Sequence, residues 1–550
     1  MSKTTRLVLI LILLSFCALT VLCGGGAYFA YRTLTPSTTG GVRPQPTSAA
    51  ERTSSQGGSL VIYGGLPPTL DPALVQDSTS AEYVVHLFSG LVSLDGELNL
   101  VPDLAERWAV SPDGLTYTFT LRENASFADG RALTAEDVRY SLERACSPQL
   151  HSPVALSYLG DIVGAEDYFM GKADHIAGLA TPDARTVTLQ MDAPKAYFLA
   201  KLTYPTAFVV DRDQIAREGE DWVRHPNGSG PFVLESLSRE RIVLVRNERY
   251  YRAKPALARV TFIIRGGDPV TMYENDELDM AAVGPDEIER VLDPENPLHS
   301  EAHLAPELST EYIAMNVTQP PFDDPLVRQA FAQAIDTAKI AQLVLKNTAM
   351  PARGILPPGL AHGAKAAALP YDPARAKQLL AQSRYGGTNA LPPISLAISG
   401  TSGHMPPVVR AVTSMLEETL GVVITVEQVD WADFLQDMNK RRYQMFMAGW
   451  IADYPDPQNF LDLLFHSSSA QNHTGYVNSE VDALLEKARL ERDASTRMAL
   501  YLQAEKKILA DAPWVPLTHG VTVMLVKPYV QGYRASASLY PWLTDISIAQ

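Results

Sequence analysis

The stretch that most constrains how this chain can fold lies between Pro406 and Ile451. A helical segment there stops at Gly421 and is followed by VVITVEQV, by a helical segment from Trp431 to about Arg441, and by MFMAGWI. Glycine at that stop reads as a left-handed C-cap, because it alone reaches positive φ without a Cβ clash. A strand, a helix and a strand in so short a span predict a parallel crossover, and hence an α/β protein. In open sheets of this kind ligands sit beyond the carboxyl ends of the strands, which puts Trp450, Ile451, Ala452 and Asp453 among the first site candidates.

The N-terminus decides the compartment. Lys3 and Arg6 precede an apolar run from Leu7 to Tyr31, the order of a signal sequence or an N-terminal membrane anchor (residues 1–34). The run is long enough to cross a bilayer, and the charges before it hold the N-terminus inside, so the remainder is expected outside the cytoplasm. Two tethers fit, an uncleaved helix and lipidation of Cys23, which is followed by three glycines but preceded by Leu22 rather than a small residue. Residues 35–56 are rich in Ser, Thr, Gly and Pro and read as a flexible linker. Beyond the leader Cys146 is the one cysteine, so no intrachain disulfide is available, and stability is left to core burial.

At 550 residues the chain calls for about three domains. Its net charge of −16, with no Lys/Arg run, argues against a nucleic-acid partner. Mixed elements follow the linker: a strand over Leu60–Tyr63, helical spacing over Ala81–Leu91, and an SPDG turn leading to a strand in which Tyr117, Phe119 and Leu121 alternate with polar residues. Thr134 and Asp137 form a capping box for a helix through Ala145. RTVTLQM and RIVLVRN read as strands, and Asp324-Pro325 and Asp372-Pro373 each start a helix with an apolar stripe.

Signatures of catalysis are missing: no G-x-S-x-G, H-E-x-x-H, Walker A or dinucleotide glycine pattern occurs. No enzyme activity and no cofactor are expected, and any ATP hydrolysis that serves this protein belongs to another subunit. His299 and His303 would share a face only in a helix, and no further metal ligands are placed near them. Asp323 and Asp324 suit a helix cap better than acid/base chemistry. The cluster AGWIADYPDPQNF, from Ala448 to Phe460, remains: Trp450 at a strand end, then Asp453, Tyr454 and two prolines. It reads either as an apolar wall with one carboxylate able to pair with a ligand ammonium, or as a loop-capping Asp beside core aromatics.

These residues, with HLFSGL from His86, the long stretch beginning VPDLAERW at Val101, GSGPF, PFDDPLVRQAFAQAID, ILPPG and YDPARAKQLL, resemble the oligopeptide- and dipeptide-binding proteins of bacterial ABC importers, solute-binding protein family 5. The resemblance implies a two-lobed periplasmic-binding-protein-like fold of type II, with hinge-linked lobes and the ligand between them. By it, lobe I takes residues 57–95, 205–310 and 519–550, an inserted α/β subdomain 96–204, and lobe II 311–518. Asp453 falls on the acid that pairs with a peptide's α-ammonium. Gly449, Trp450 and Ile451 fall on the strand whose backbone pairs with an extended ligand, Trp431 and Trp450 on pocket-lining aromatics, and Ser78, Ser80 and Glu82 on a first-lobe strand facing the ligand. Met447 stands where tripeptide-preferring relatives carry an Arg that holds the ligand carboxylate, so their length preference does not transfer. The expected protein is a monomeric binding subunit that captures peptides for a permease with separate ATPase subunits. The alternatives are a sugar, nickel chelate or other cation on the same scaffold, and, further off, an exported hydrolase.

Overall fold

The computed structural model describes residues 58–549, apart from 285, 347, 362–367, 402 and 538–541; the leader, the linker and Cys23 lie outside the described residues. Strand β1 (Ser59–Tyr63) is buried along almost all of its length, as a strand covered on both faces must be. Helix α1 (Ser78–Leu87) follows, capped by Asp77, whose carboxylate accepts the Ser80 N–H. Ser78, Ser80 and Glu82 are therefore helical, which corrects the strand expected there. The helix also ends earlier than the apolar spacing suggests. Phe88 takes extended backbone, and Gly90 sits where a Cβ would strike the Phe208 ring, so its smallness serves packing beyond the helix.

A small antiparallel sheet comes next, in the order β2 (Ala105–Val110), β3 (Thr116–Leu121), β5 (Thr186–Gln190), β4 (Leu179–Asp183). Tyr117, Phe119 and Leu121 of β3 point inward in strict alternation. Helix α2 (Ala135–Ala145) starts at the Thr134–Asp137 capping box and buries Val138 and Leu142. Cys146 at its end is wholly buried, and desolvation pushes its thiol up to about 12, so it behaves as a small apolar side chain.

Among the described residues, twelve strands join in one sheet with two halves. The first half runs β6 (Phe232–Leu237), β7 (Arg241–Arg246), β8 (Arg259–Ile263), β1, β9 (Met280–Ala282). β10 (Ala302–Pro306) and β11 (Ser309–Met315) carry the chain across into the second half, where β11 is followed in the sheet by β15 (Met445–Ile451), β13 (Ile394–Ser399) and β14 (Ile424–Val429). Strand β16 (Trp514–Val526) belongs to both. Its first residues pair with β11 and with β12 (Ala349–Pro351), its last with β9 and β10. Among the described residues the backbone thus passes between the halves at the β10–β11 link and along β16, the arrangement of a two-lobed protein with hinge strands.

Each half has its own core. Leu60, Phe119, Leu189, Phe232 and Phe262 lie in one cluster that runs from the first half into the small sheet. Two clusters fill the second half, one including Phe331, Leu396 and Val412, the other Tyr312, Phe434, Phe446 and Trp514. Both Asp-Pro starts are as read. Asp324 caps α3 (Pro325–Ala334) and Asp372 caps α4 (Pro373–Gln382). Helix α5 (Pro407–Leu420) ends at Gly421, which has φ 69°. The predicted crossover is present, β14 leading through α6 (Trp431–Asn439) to β15, with one difference: β13 lies between the two strands, parallel to both.

Candidate functional site

Strand β15 is paired on one side over its full length, by β11 in antiparallel register from Ser309↔Ile451 to Met315↔Met445. On its other side β13 reaches only Met445 and Phe446. From Met447 to Ile451 that edge has no strand partner among the described residues. The Ala452 N–H donates to the Leu308 carbonyl, which fixes the alternation. Even-numbered residues exchange hydrogen bonds with β11, whereas Met447, Gly449 and Ile451 turn their N–H and C=O to the open edge. Trp450, between them, uses its side chain, and its indole N–H donates to Asn459 Oδ1 at 3.1 Å.

Two residues past the strand stands Asp453. Its carboxylate accepts from Asn459 Nδ2 at 2.9 Å and from the Tyr158 hydroxyl. Asn459 sits near the start of α7 (Gln458–Phe465) and also accepts the Asp453 N–H at 3.1 Å, so the helix fixes the loop and the carboxylate together. Burial raises the Asp453 pKa to about 6, while the Asn459 and Tyr158 hydrogen bonds pull it back down. Both donors are neutral, and no Lys, Arg or His among the described residues acts on this carboxylate. An acid so held is complete in geometry and lacks only a counter-charge.

Tyr158 comes from the 96–204 segment and stacks on Tyr204 at 4.0 Å. Tyr454 meets Tyr158 edge-on at 6.5 Å and is itself buried, its hydroxyl donating to Gln458. Asp453 and Tyr454 reach the wall of a cavity of about 330 Å³, shared with Val85, Phe88, Tyr204 and Arg252. None of the other predicted site residues lines it. Gly449, Trp450 and Ile451 lie instead along the strand edge that leads up to Asp453.

Trp431 opens α6 and donates its indole N–H to Asp77 Oδ1 at 3.3 Å, and Asn439 at the far end of α6 donates to Gln76 Oε1 at 2.6 Å. These bonds and that of Tyr158 to Asp453 run between the two halves, as do Gln471 Nε2 to the Pro153 carbonyl at 3.2 Å, Arg492 to the Asp113 carbonyl, and the Lys346–Glu289 ion pair at 2.6 Å. On α1, Ser80 is buried and accepts the Thr69 N–H at 3.3 Å, a structural role. Ser78, Glu82 and Val85 form the face of α1 that its own core leaves uncovered. Glu82 lies between Asp77, which touches Trp431, and Val85, which shares the cavity with Asp453, and burial lifts its pKa to about 7.

Tyr158 and Glu311 were not legible as site residues. Tyr158 meets Asp453 across 295 positions of sequence, with no motif of its own. Glu311 left a signal, being the sole charge in the otherwise uncharged strand STEYIAM. It faces Gly449 across the β11–β15 pair with its side chain exposed, and the protein packed around its base together with the neighbouring Glu307 holds its pKa above the usual carboxylate range. The His299 and His303 pair dissolves: His299 lies in a short 3₁₀ turn and His303 in β10, and no metal-binding group of His, Cys, Asp and Glu occurs among the described residues.

The model for bacterial extracellular solute-binding proteins, family 5, matches residues 99–472. The probable deoxycholate-binding periplasmic protein YgiS of Escherichia coli (strain K12) is 33% identical over 485 residues, 85% of this chain and 89% of that protein. The structure of Haemophilus influenzae OppA in complex with the peptide RPPGFSPFR superposes with a TM-score of 0.83 at 26% identity, covering 90% of this chain and 99% of that one. The murein tripeptide-binding protein MppA of Escherichia coli gives 0.82 at 28% identity, covering 90% and 98%. Against MppA in its unliganded open form the score falls to 0.64 over the same coverage, so the arrangement here differs from that open form.

Proposed function

From the premise that the chain belongs to the bacterial extracellular solute-binding proteins of family 5, which are binding proteins and not enzymes, we propose that it captures peptides outside the cytoplasm and delivers them to an ABC importer. The observation that carries this reading is the β15 edge, unpaired among the described residues, ending at a carboxylate to which none of those residues brings a counter-ion. A peptide is the solute whose chemistry fits both. Its backbone can add as a strand against Met447, Gly449 and Ile451, and its α-ammonium can pair with Asp453. Trp450 and Trp431 then flank the ligand side chains, Glu82 and Ser78 face it from α1, and Tyr454 walls the ammonium site. The lobes in this reading follow 57–95, 205–310 and 519–550 for the first and 311–518 for the second, with 96–204 as the insertion that supplies Tyr158. The leader tethers a monomer to the outer face of the membrane through its helix or a lipidated Cys23, and a permease with its own ATPase subunits receives the load.

Closure by hinge motion about the β10–β11 link and β16 removes water from the Asp453 site, which is what makes an ion pair there strong. A second reading is favoured by YgiS, whose assigned solute is not a peptide. The experiment that separates the two is denaturing release of ligand from purified protein followed by mass spectrometry. Peptides are the expected cargo. Recovery of a bile acid, a sugar or a metal chelate with no peptides overturns the proposal.

A further inference from the structure

We infer that the peptides this protein takes begin with a large apolar residue, whose side chain fills the cavity beyond Asp453; the inference rests on the peptide reading and names its substrate class. Both hydrogen bonds that hold the Asp453 carboxylate, from Asn459 and from Tyr158, end on Oδ2, and neither reaches Oδ1. The oxygen left over is the one an α-ammonium can take. A peptide whose ammonium binds there sends its first carbonyl back along the open edge of β15 toward Met447. Its first side chain is left with the other space that Asp453 borders, the cavity of about 330 Å³.

The wall of that cavity favours an apolar group. Phe88, Leu98, Val101, Phe208 and Leu543 contribute to it from separate segments of the chain. Polar side chains beside them are already engaged by protein. The Ser89 hydroxyl donates to the Ser229 carbonyl at 3.3 Å, Thr203 to the Ala200 carbonyl at 2.7 Å and Tyr204 to the Val75 carbonyl at 3.3 Å, while buried Asp103 accepts from the Tyr251 hydroxyl at 2.6 Å. Burial keeps His86 neutral, its pKa pushed down to about 3. His86 Nε2 and Trp542 Nε1 have no hydrogen-bond partner, but both atoms are sealed inside the protein and do not meet the cavity. Two exposed cations, Arg252 and Lys254, also border it, and each has an acid beside it, Asp103 at 3.4 Å and Glu248 at 3.2 Å. A carboxylate on the first side chain would lose hydration here without gaining an unpaired cation among the described residues, whereas an apolar side chain is driven in by the area it removes from water. The volume falls in the range of pockets that take small organic groups, about 300–1,000 Å³.

The test is calorimetric titration of the full-length protein at pH 7.5 with tetra-alanine, with tetra-alanine carrying Phe, Leu or Glu in first place, and with Ala-Phe-Ala-Ala. Phe or Leu in first place is expected to tighten binding about tenfold, Glu not at all, and Phe in second place by much less. The gain is expected to vanish in Val85→Phe on α1 or in Val101→Phe in the segment before β2, two changes that push bulk into the cavity from different elements, so that failure of one variant to fold leaves the other to decide. If tetra-alanine binds and neither apolar-first peptide binds more tightly, if Glu in first place or Phe in second gains as much, or if the gain survives in both variants, the inference is overturned while the peptide reading stands. If none of the five peptides binds, the peptide reading falls and this inference falls with it.

Discussion

Asp453 shows how one residue can be fully supported and still incomplete. Two neutral donors, Asn459 and Tyr158, orient its carboxylate, and burial lifts its pKa to about 6. The sign of its pH dependence follows. A ligand ammonium binds the ionised form, so the bound state has the lower pKa and binding releases a proton wherever Asp453 is protonated when empty. Affinity for a peptide with a free amine is therefore flat above about pH 7 and falls as the pH drops through 6, by up to about tenfold per unit. Asp453→Asn, which keeps the shape and the Asn459 contact, is expected to weaken free-amine peptides by about 2–5 kcal/mol and to abolish this pH dependence, with N-acetylated peptides little changed. Titration calorimetry between pH 5 and 8 measures both. Equal affinities of wild type and variant for a free-amine peptide would make Asp453 a structural loop residue.

At the scale of elements, β15 is where the sequence was most legible, and what it concealed is instructive. MFMAGWI reads as a strand from its own residues, and the strand found is Met445–Ile451. Which of its edges stays open depends on β13, whose sequence ISLAIS follows two prolines and mixes Ser and Ala, weak strand formers, with Ile and Leu, and so escapes a pattern search. Helix caps were legible because they are local: Thr134–Asp137, Asp324-Pro325, Asp372-Pro373 and Gly421 all hold. The helical spacing read from Ala81 holds as far as Leu87, but Ser78 to Glu82 were assigned to a strand on the family resemblance, although Asp77 is an N-cap signal in plain view. Tyr158 stayed hidden because its role exists only once the chain is folded. The open edge makes its own prediction. Gly449→Pro removes an N–H that β11 does not use, and the Cβ it adds pushes aside the Glu311 carboxylate, the free end of an exposed side chain, so the β11–β15 ladder survives while the ligand loses one backbone donor. Peptide affinity is expected to drop up to about tenfold with little change in thermal stability; unchanged affinity would place the ligand away from this edge.

For the whole molecule the decisive fact is that two halves with separate cores touch through a small number of polar contacts and are joined by two connections. Such contacts are each worth about 0.5–1.5 kcal/mol, which is enough to tilt an open–closed balance without dictating it. Tyr454 sharpens the point, since it belongs to the β15–α7 loop of the second half yet packs in the core cluster of the first, so opening must withdraw it from the Tyr158–Tyr204 stack. Ligand-free protein in solution is therefore expected to be larger by small-angle scattering than the structure described here, and to contract to it when saturated. Gln76→Ala, which deletes the acceptor of the Asn439 bond and lies away from the β15 edge, takes one contact from the closed state and none from the open one. Its ligand-free scattering should shift further toward the open form. Because apparent affinity scales with the fraction of molecules able to close, its peptide affinity should fall by the same factor, up to about tenfold, without any direct contact being lost. If scattering and affinity both stay at wild-type values, closure is held by the Asp453–Tyr158–Tyr454 cluster and the outer contacts Gln471–Pro153, Arg492–Asp113 and Lys346–Glu289, and the α6–α1 contacts merely accompany them.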